Sequence, residues 1–353
     1  MKHRRQDGFV LVIVLVLIVV LTLLAGTVAL ISTRAVDESM ADQAAFEATL
    51  DEVSTREVVL FMLGTQPVTI AGVSAGPYTS PVAGGSDTDG MLAMPRGDEI
   101  RLDGRPYHGV GDTVFSLQDS RGLISLNWAG GVAQLALLDS LGVPANERAD
   151  YLAVLEDYQD EDDLKHLNGA ERDEYVRAGL PGPANRPLAT PIELRRVLRW
   201  RDLIANMTDD ELLERMTIAR VPDLNINSAP KSILALLPGL DAHSAQRIVD
   251  HRETTPFTSV HAARTLFNLA VMEEDVLSLF PSNSGNLMMW NRTSGARTLL
   301  HWTQSTFPDG RPPWRIDYEI RLPRHAEPEP QEIETTATDL LGRKAPPELQ
   351  RAR

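Results

Sequence analysis

The chain has no cysteine, which excludes disulfides, thiolate metal sites and a cysteine nucleophile. Aromatic residues make up only 5% of it, too few to suggest the stacking-rich cleft of a glycosidase. Basic residues are outnumbered, 34 Lys and Arg against 49 Asp and Glu, for a formal charge of −15. Such a surface is no generic ligand for nucleic acid or anionic lipid. There is no Ser/His/Asp triad order, zincin helix, Walker loop or dinucleotide fingerprint. His243, His251 and His261 are loosely spaced on expected helices and read as surface or packing residues. Nothing in these patterns argues for an enzyme. Long apolar runs are also scarce, with one exception that orders everything after it.

That exception is Phe9 to Ile31, 23 residues without a charge, preceded by Lys2, Arg4 and Arg5. At ~1.5 Å per residue, a helix of this length spans a hydrocarbon core of ~30 Å. The run is too long for the ~7–15-residue apolar core of a cleaved secretory signal. Two readings stay open, a plain anchor and a leader cut between Gly8 and Phe9. The second arrangement resembles the prepilin leader of type IV pilins and type II secretion pseudopilins. The resemblance implies cleavage by a prepilin peptidase and N-methylation of Phe9. Most such chains carry Glu at the fifth mature position, where this one has Ile13. Basic residues before the run and Asp37, Glu38 and Asp42 after it put the N-terminus in the cytoplasm and the bulk across the membrane. In a bacterium that is a single pass through the inner membrane into the periplasm.

From Ser32 to Leu63 there is no Pro or Gly, and Val36, Met40, Phe46, Leu50, Val53, Leu60 and Phe61 fall at helical spacing. The pattern predicts one helix from Phe9 to about Leu63, ended by Gly64 and Pro67. Short β-prone runs follow to Asn127, with a turn cluster at Ala83 to Asp87 and an expected two-residue hairpin at Asp103-Gly104. Helical patterns occupy Gln134–Leu141, Glu147–Tyr158, Gly169–Arg177 and Pro191–Ile204, and a second helical unit spans 224–267. Strand patterns return from Asn286, with a hairpin expected at Pro308-Asp309-Gly310. The stretch 324–353 is rich in Pro and Glu and predicts a disordered tail. The order implies an α+β fold: leader 1–8, membrane helix 9–31, a pilin-like helix and first strands 32–127, an inserted α-helical domain 128–283 and closing strands 284–323.

Two constellations stand out. Six acids fall within eight residues at Glu156, Asp157, Asp160, Glu161, Asp162 and Asp163. Oxygen ligands at this density suit Ca²⁺, although the spacing is not that of an EF-hand, and by spacing alone a solvated helix end is the simpler reading. Paired carboxylates also leave a carboxylate-dependent hydrolase on the table. The second constellation is Leu236-Leu237-Pro238-Gly239-Leu240-Asp241 with Ala245 to Arg252, preceded by Leu224 to Pro230. It resembles a helix-hairpin-helix unit, whose turn offers backbone N–H groups to DNA phosphates, and so a membrane-anchored DNA-uptake protein is the alternative function. Asp241 stands where a phosphate would approach, and Lys231, Arg247, Arg252 and Arg264 face Asp241, Asp250 and Glu253, so packing is favoured over nucleic-acid binding.

Taken together, the Gly8 junction, Ile13 and the long soluble part resemble the type II secretion minor pseudopilin K family, also called general secretion pathway protein K. The resemblance continues through Gly122 to Asn127, Asp157-Tyr158-Gln159-Asp160-Glu161-Asp162, Asn168-Gly169-Ala170-Glu171, Tyr175, Asn185, Pro187-Leu188, Glu193-Leu194 and Leu224 to Ala229, covering residues 1–323. Departures are Tyr158 where the family has Trp, and Val197-Leu198-Arg199 where Val-x-Gly is commoner. The resemblance implies a non-enzymatic subunit capping the pseudopilus tip, with the minor pseudopilins of I, J and H types and the major pseudopilin as partners. It also implies Ca²⁺ in the helical domain, with Asp157, Asp160, Asp162 and Glu171 as candidate ligands.

Overall fold

The computed structural model describes residues 7–76, 94–128, 131–269, 276–292, 295, 297–305, 310–323 and 333–342. The turn cluster Ala83 to Asp87, Pro308-Asp309 and leader residues 1–6 lie outside them. Two compact units divide at Leu50 and Asp51. The first holds most of helix α1 (Asp7–Thr65), which the unbroken apolar run and the absence of Pro dictate. It is long and apolar enough to cross a membrane, and its residues from Leu11 to Ile31 are exposed.

In the second unit the last turns of α1 bury Val59, Leu60, Met62 and Leu63 in the first of its cores. Strands β1 (Val68–Thr69), β2 (Gly72–Ser74) and β3 (Glu99–Ile100) make a small antiparallel sheet. Strands β4 (Asp103–His108) and β5 (Thr113–Asp119) enter a larger one. β5 is joined there by β10 (Ser284–Asn291), β11 (Arg297–Gln304) and β12 (Trp314–Leu322), in the order β12-β11-β10-β5-β4. Phe115, Leu117, Leu287, Met289, Leu300 and Trp302 fill the core beneath it. Asp103-Gly104 is not the expected hairpin. Asp103 pairs with Gln118 and Pro106 with Ser116, so the extra residue makes a bulge within β4. Gly104 takes a positive φ of 84° there, and the Asp103 carboxylate pairs with Arg105 at 2.8 Å.

The register of β10 on β5 locates the insertion. Asp119 at the end of one strand faces Gly285 at the start of the other, antiparallel, with 165 residues of sequence between them. What lies between is mainly helical: α2 (Val132–Ser140), α3 (Arg148–Gln159), α4 (Arg172–Arg177), α5 (Trp200–Leu203), α6 (Asp209–Arg215), α7 (Lys231–Leu234), α8 (Ala242–Thr254) and α9 (Val260–Phe267). Two parallel pairs stitch it, β6 (Ile124–Ser125) with β7 (Met216–Thr217) and β8 (Leu224–Asn225) with β9 (Leu277–Ser278). Its own core centres on Trp200, Tyr175, Leu137, Leu194 and Ile248. The fold is α+β.

The expected helix Pro191–Ile204 is a 3-10 turn (Pro191–Arg196) and the short α5, separated by Arg199 at φ 67°. With ψ −47°, Arg199 is the centre of a γ-turn closed by Trp200 N–H donating to the Leu198 carbonyl at 2.8 Å, and glycine is the residue that adopts such a positive φ at least steric cost. This explains the expectation of glycine at this position. Here Arg199 is held by Glu147 and Asp150, each at 3.2 Å, and lies 4.5 Å over the Tyr151 ring.

The two ends of the insertion meet on one carboxylate. Asp119 is fully buried, and its Oδ1 accepts from the N–H of Arg121 (3.1 Å), the N–H of Ser282 (2.8 Å) and the Ser282 hydroxyl (2.8 Å). Its Oδ2 accepts from Asn225 Nδ2 (2.9 Å) and the Ser228 hydroxyl (2.8 Å). Asp119→Ala would strand these donors, so it is expected to cost about 3 kcal/mol or more, read from the urea midpoint of the detergent-solubilised chain. Ser282→Ala, which removes one donor, is expected to cost about 1 kcal/mol.

Candidate metal centre

The last turn of α3 carries Glu156 and Asp157 toward the loop 160–171, which doubles back to begin α4 at its cap, Glu171. Helical spacing turns Asp157 inward, where its side chain is fully buried. Its Oδ1 accepts the backbone N–H of His166 at 3.1 Å and makes a short contact with His166 Nδ1. Its Oδ2 is buried without a partner. So are Asp160 Oδ1 and both carboxylate oxygens of Glu171. A Cβ on Gly169 would fall inside the Asp157 carboxylate, so the loop can close over this helix end only with glycine there. Asn168 before it takes φ 62°, and its Nδ2 donates to Asp150, which also holds Arg199. The residue that breaks the Pro191–Ile204 pattern thus helps to hold the acidic loop.

The electrostatics fit a missing positive charge. Burial first, and then the carboxylates of Asp157, Asp160, Asp163 and Asp162, push Glu171 up to about 7. Burial, then Asp162 and Asp157, raise Asp160. The hydrogen bond to Asp157 raises His166. Lys165, the nearest lysine in sequence, is spent on Glu174 at 3.0 Å. Buried carboxylate oxygens that lack donors and repel one another have the chemistry that a hard divalent cation could take as ligands.

Of the residues singled out from sequence, Asp157, Asp160 and Glu171 contribute the unpartnered oxygens. Asp162 does not: it is exposed and its Oδ1 accepts from Leu164 N–H at 2.8 Å, closing a turn. His166 escaped the sequence reading, although single ligand atoms of Asp157, Asp160 and His166 lie within 4.8 Å of one another. Its signal was the spacing of six residues from Asp160 within the same loop.

The other constellations resolve differently. In the hairpin, Gly239 has φ 84° and Asp241 caps α8, accepting Ser244 N–H at 2.7 Å. Its carboxylate fills the helix N-terminus that a phosphate would use. Arg252 is buried and donates to the carbonyls of Ile226 and Ala229, at 2.9 and 2.7 Å, while Arg247 lies over the Phe267 ring at 5.4 Å. The structure also assembles a chain that sequence order hid. Ser120 Oγ lies 3.2 Å from His301 Nε2, and His301 Nδ1 lies 2.9 Å from Asp317. Burial would raise the Asp317 carboxyl, but hydrogen bonds from His301, Thr303 and Arg315 hold it at about 2. Ser120 and His301 are buried, and Thr217 donates to the Ser120 hydroxyl at 3.2 Å. The chain ties β11 and β12 to the insertion through side chains that are themselves buried.

Two family models match, both described as type II secretion system (T2SS), protein K, one over residues 127–207 and one over 224–278. The first contains the acidic loop and the second the hairpin. Among curated protein sequences none matches. A solved structure titled as the GspK-GspI-GspJ complex from the enterotoxigenic Escherichia coli type 2 secretion system is similar to this chain at 17% identity and a TM-score of 0.48. The match covers 81% of this chain and 99% of that one.

Gly169→Ala must displace the Asp157 carboxylate or the loop backbone. We expect it to destabilise the chain by about 1–3 kcal/mol, whereas Gly182→Ala, whose Cβ would meet Arg172 Cγ at an ordinary 3.7 Å without a positive φ, carries only the general cost of removing glycine. Thermal denaturation of the two variants side by side distinguishes steric closure of the loop from a general cost of removing glycine.

Proposed function

We propose that the chain is a protein K of the type II secretion system, a minor pseudopilin that caps the tip of the periplasmic pseudopilus and supports its assembly for protein export. The observation that carries this reading is that both protein K matches fall on the helical region, which interrupts a sheet at Asp119 and Gly285. The anchor reading of Phe9–Ile31 supports it, with the N-terminus cytoplasmic and the bulk periplasmic. Ile13 fits a tip position. Where a filament carboxylate is met by the N-terminal ammonium of a neighbour, a terminal subunit has no such neighbour, and a lone buried carboxylate is costly. The partners in this reading are the I, J and H types of minor pseudopilin and the major pseudopilin. The prepilin peptidase acts once, between Gly8 and Phe9.

The same reading gives the acidic loop a cation. Asp157, Asp160 and Glu171 would hold Ca²⁺ through their unpartnered oxygens, with Asp162 and Asp163 adding field rather than ligands. A bound divalent ion supplies the positive charge that lets these carboxylates stay ionised and close together.

Two measurements test these statements. Mass spectrometry of the chain isolated from cells with the peptidase is expected to show a mature N-terminus at methylated Phe9 and co-purification of other minor pseudopilins. An intact Met1 start would remove the pseudopilin reading. For the cation, Ca²⁺ at about a hundredfold excess over its dissociation constant is expected to stabilise the chain by about 2.7 kcal/mol, reversed by chelator. Glu171→Gln is expected to lose that stabilisation while being more stable than the parent chain in chelator, because it removes one of the crowded carboxylates.

A further inference from the structure

The tail expected to be disordered is docked in part. The Pro- and Glu-rich composition of 324–353 is that of a disordered segment, yet residues 333–342 lie against the larger sheet. Glu334 forms a parallel bridge with Tyr107 on the edge strand β4. His108 N–H donates to the Glu334 carbonyl at 2.9 Å, and Glu334 N–H donates to the Pro106 carbonyl at 3.0 Å. The Glu334 carboxylate meets Arg105 at 2.7 Å. Seven residues on, a 3-10 turn (Asp339–Leu341), capped by Thr338, presents Leu341 to the core that holds Leu60, Tyr107 and Trp302, where it is 6% exposed.

Three kinds of recognition therefore converge on one short segment: main-chain pairing at a sheet edge, a cation for an acidic side chain, and an apolar socket. These are the parts of a strand-addition peptide site, in which main-chain bonds give affinity and side-chain pockets give specificity. Geometry permits the chain to reach it. β12 ends at Leu322 on one edge of the sheet, and β4 is the opposite edge, four strand spacings or about 19 Å away. The ten residue-to-residue steps from Pro323 to Ile333 extend to about 33 Å.

We propose that the edge of β4, with Arg105 and the socket that receives Leu341, is a peptide-binding site for an extended segment bearing an acidic residue and a leucine seven positions later, and that residues 333–342 of the same chain occupy it. An unpaired edge strand is a template for pairing with another chain. Occupation in cis closes that edge, so strand addition by a neighbour at β4 requires the tail to leave.

The test uses the full chain in detergent and a fluorescent peptide of residues 330–345. A chain truncated after Pro323 is expected to bind the peptide, and the intact chain to bind it at least about tenfold more weakly, because its own tail competes. Peptides carrying Glu334→Lys or Leu341→Asp are expected to bind at least about tenfold more weakly than the parent peptide. Equal binding by intact and truncated chains, or tight binding of the Leu341→Asp peptide, overturns the proposal. If truncation unfolds the chain, hydrogen exchange of the full-length Leu341→Asp variant reads the same contact. The amide of His108 is expected to exchange at least about tenfold faster while that of Met288, inside β10, is unchanged. No change at His108 overturns the proposal, as does a dimer in which the tail of one copy fills the edge of another.

Discussion

A single buried carboxylate determines how this chain is put together. Asp119 has no cation beside it among its hydrogen-bonding partners, only donors: two backbone N–H groups, two hydroxyls and an amide. A charge can be buried when its lone pairs are all met, because the hydrogen bonds replace the lost hydration. The donors come from four places in the sequence, Arg121, Asn225, Ser228 and Ser282. Asp119 therefore joins the point where the chain leaves the sheet, the opening of the hairpin unit, and the point where the chain returns. Other ties between the insertion and the sheet run from Asn286 Nδ2 to the Leu213 carbonyl at 3.3 Å and from Arg297 to Asp210 at 2.9 Å.

Because the strand register is fixed at this point, the rest of the sheet follows. Gly285 faces Asp119 and a Cβ there would press on the Gln118 carbonyl and the Trp302 ring, so the two strand ends can approach only with glycine. Close approach puts Ser120 within reach of His301, and His301 within reach of Asp317. The Ser-His-Asp chain is thus a consequence of how the insertion is seated. Its hydroxyl is enclosed and already engaged, and it adds a polar tie between the insertion and the β11-β12 edge.

Much of the fold was legible because it rests on period and composition. The apolar run dictates α1, and runs of β-prone residues dictate β10 to β12. The misreadings share a cause, which is that a side chain or a partner overrode a local rule. Asp103-Gly104 has the residues of a hairpin, but Gln118 and Arg105 both engage Asp103 and make it a bulge. Pro191 to Ile204 has the residues of a helix, but Arg199 takes a positive φ in a γ-turn, with Glu147 and Asp150 on its guanidinium. Asp162 looked equivalent to its acidic neighbours, and only the turn it closes onto Leu164 separates it from Asp157 and Asp160. His166 was hidden because its spacing from Asp160 points to a shared site only once the loop folds back onto Asp157. Disorder of the tail is inferred from average composition, whereas the docking of residues 333–342 needs only Glu334 and Leu341 in the right places.

The acidic loop and the hairpin make opposite uses of the same chemistry. At the hairpin, the Asp241 carboxylate accepts the Ser244 N–H of its own helix, and that hydrogen bond holds the carboxyl below the usual carboxylate range. It is satisfied from within. At the loop, Asp157, Asp160 and Glu171 are held inward by the helix end, by the closure at Gly169 and by the anchoring of Asn168 to Asp150, yet they lack donors. The same residue type is a cap where backbone N–H groups converge on it and a candidate ligand where they do not. Counting acids in the sequence cannot make that distinction, because it depends on which oxygen atoms the backbone has left unpaired.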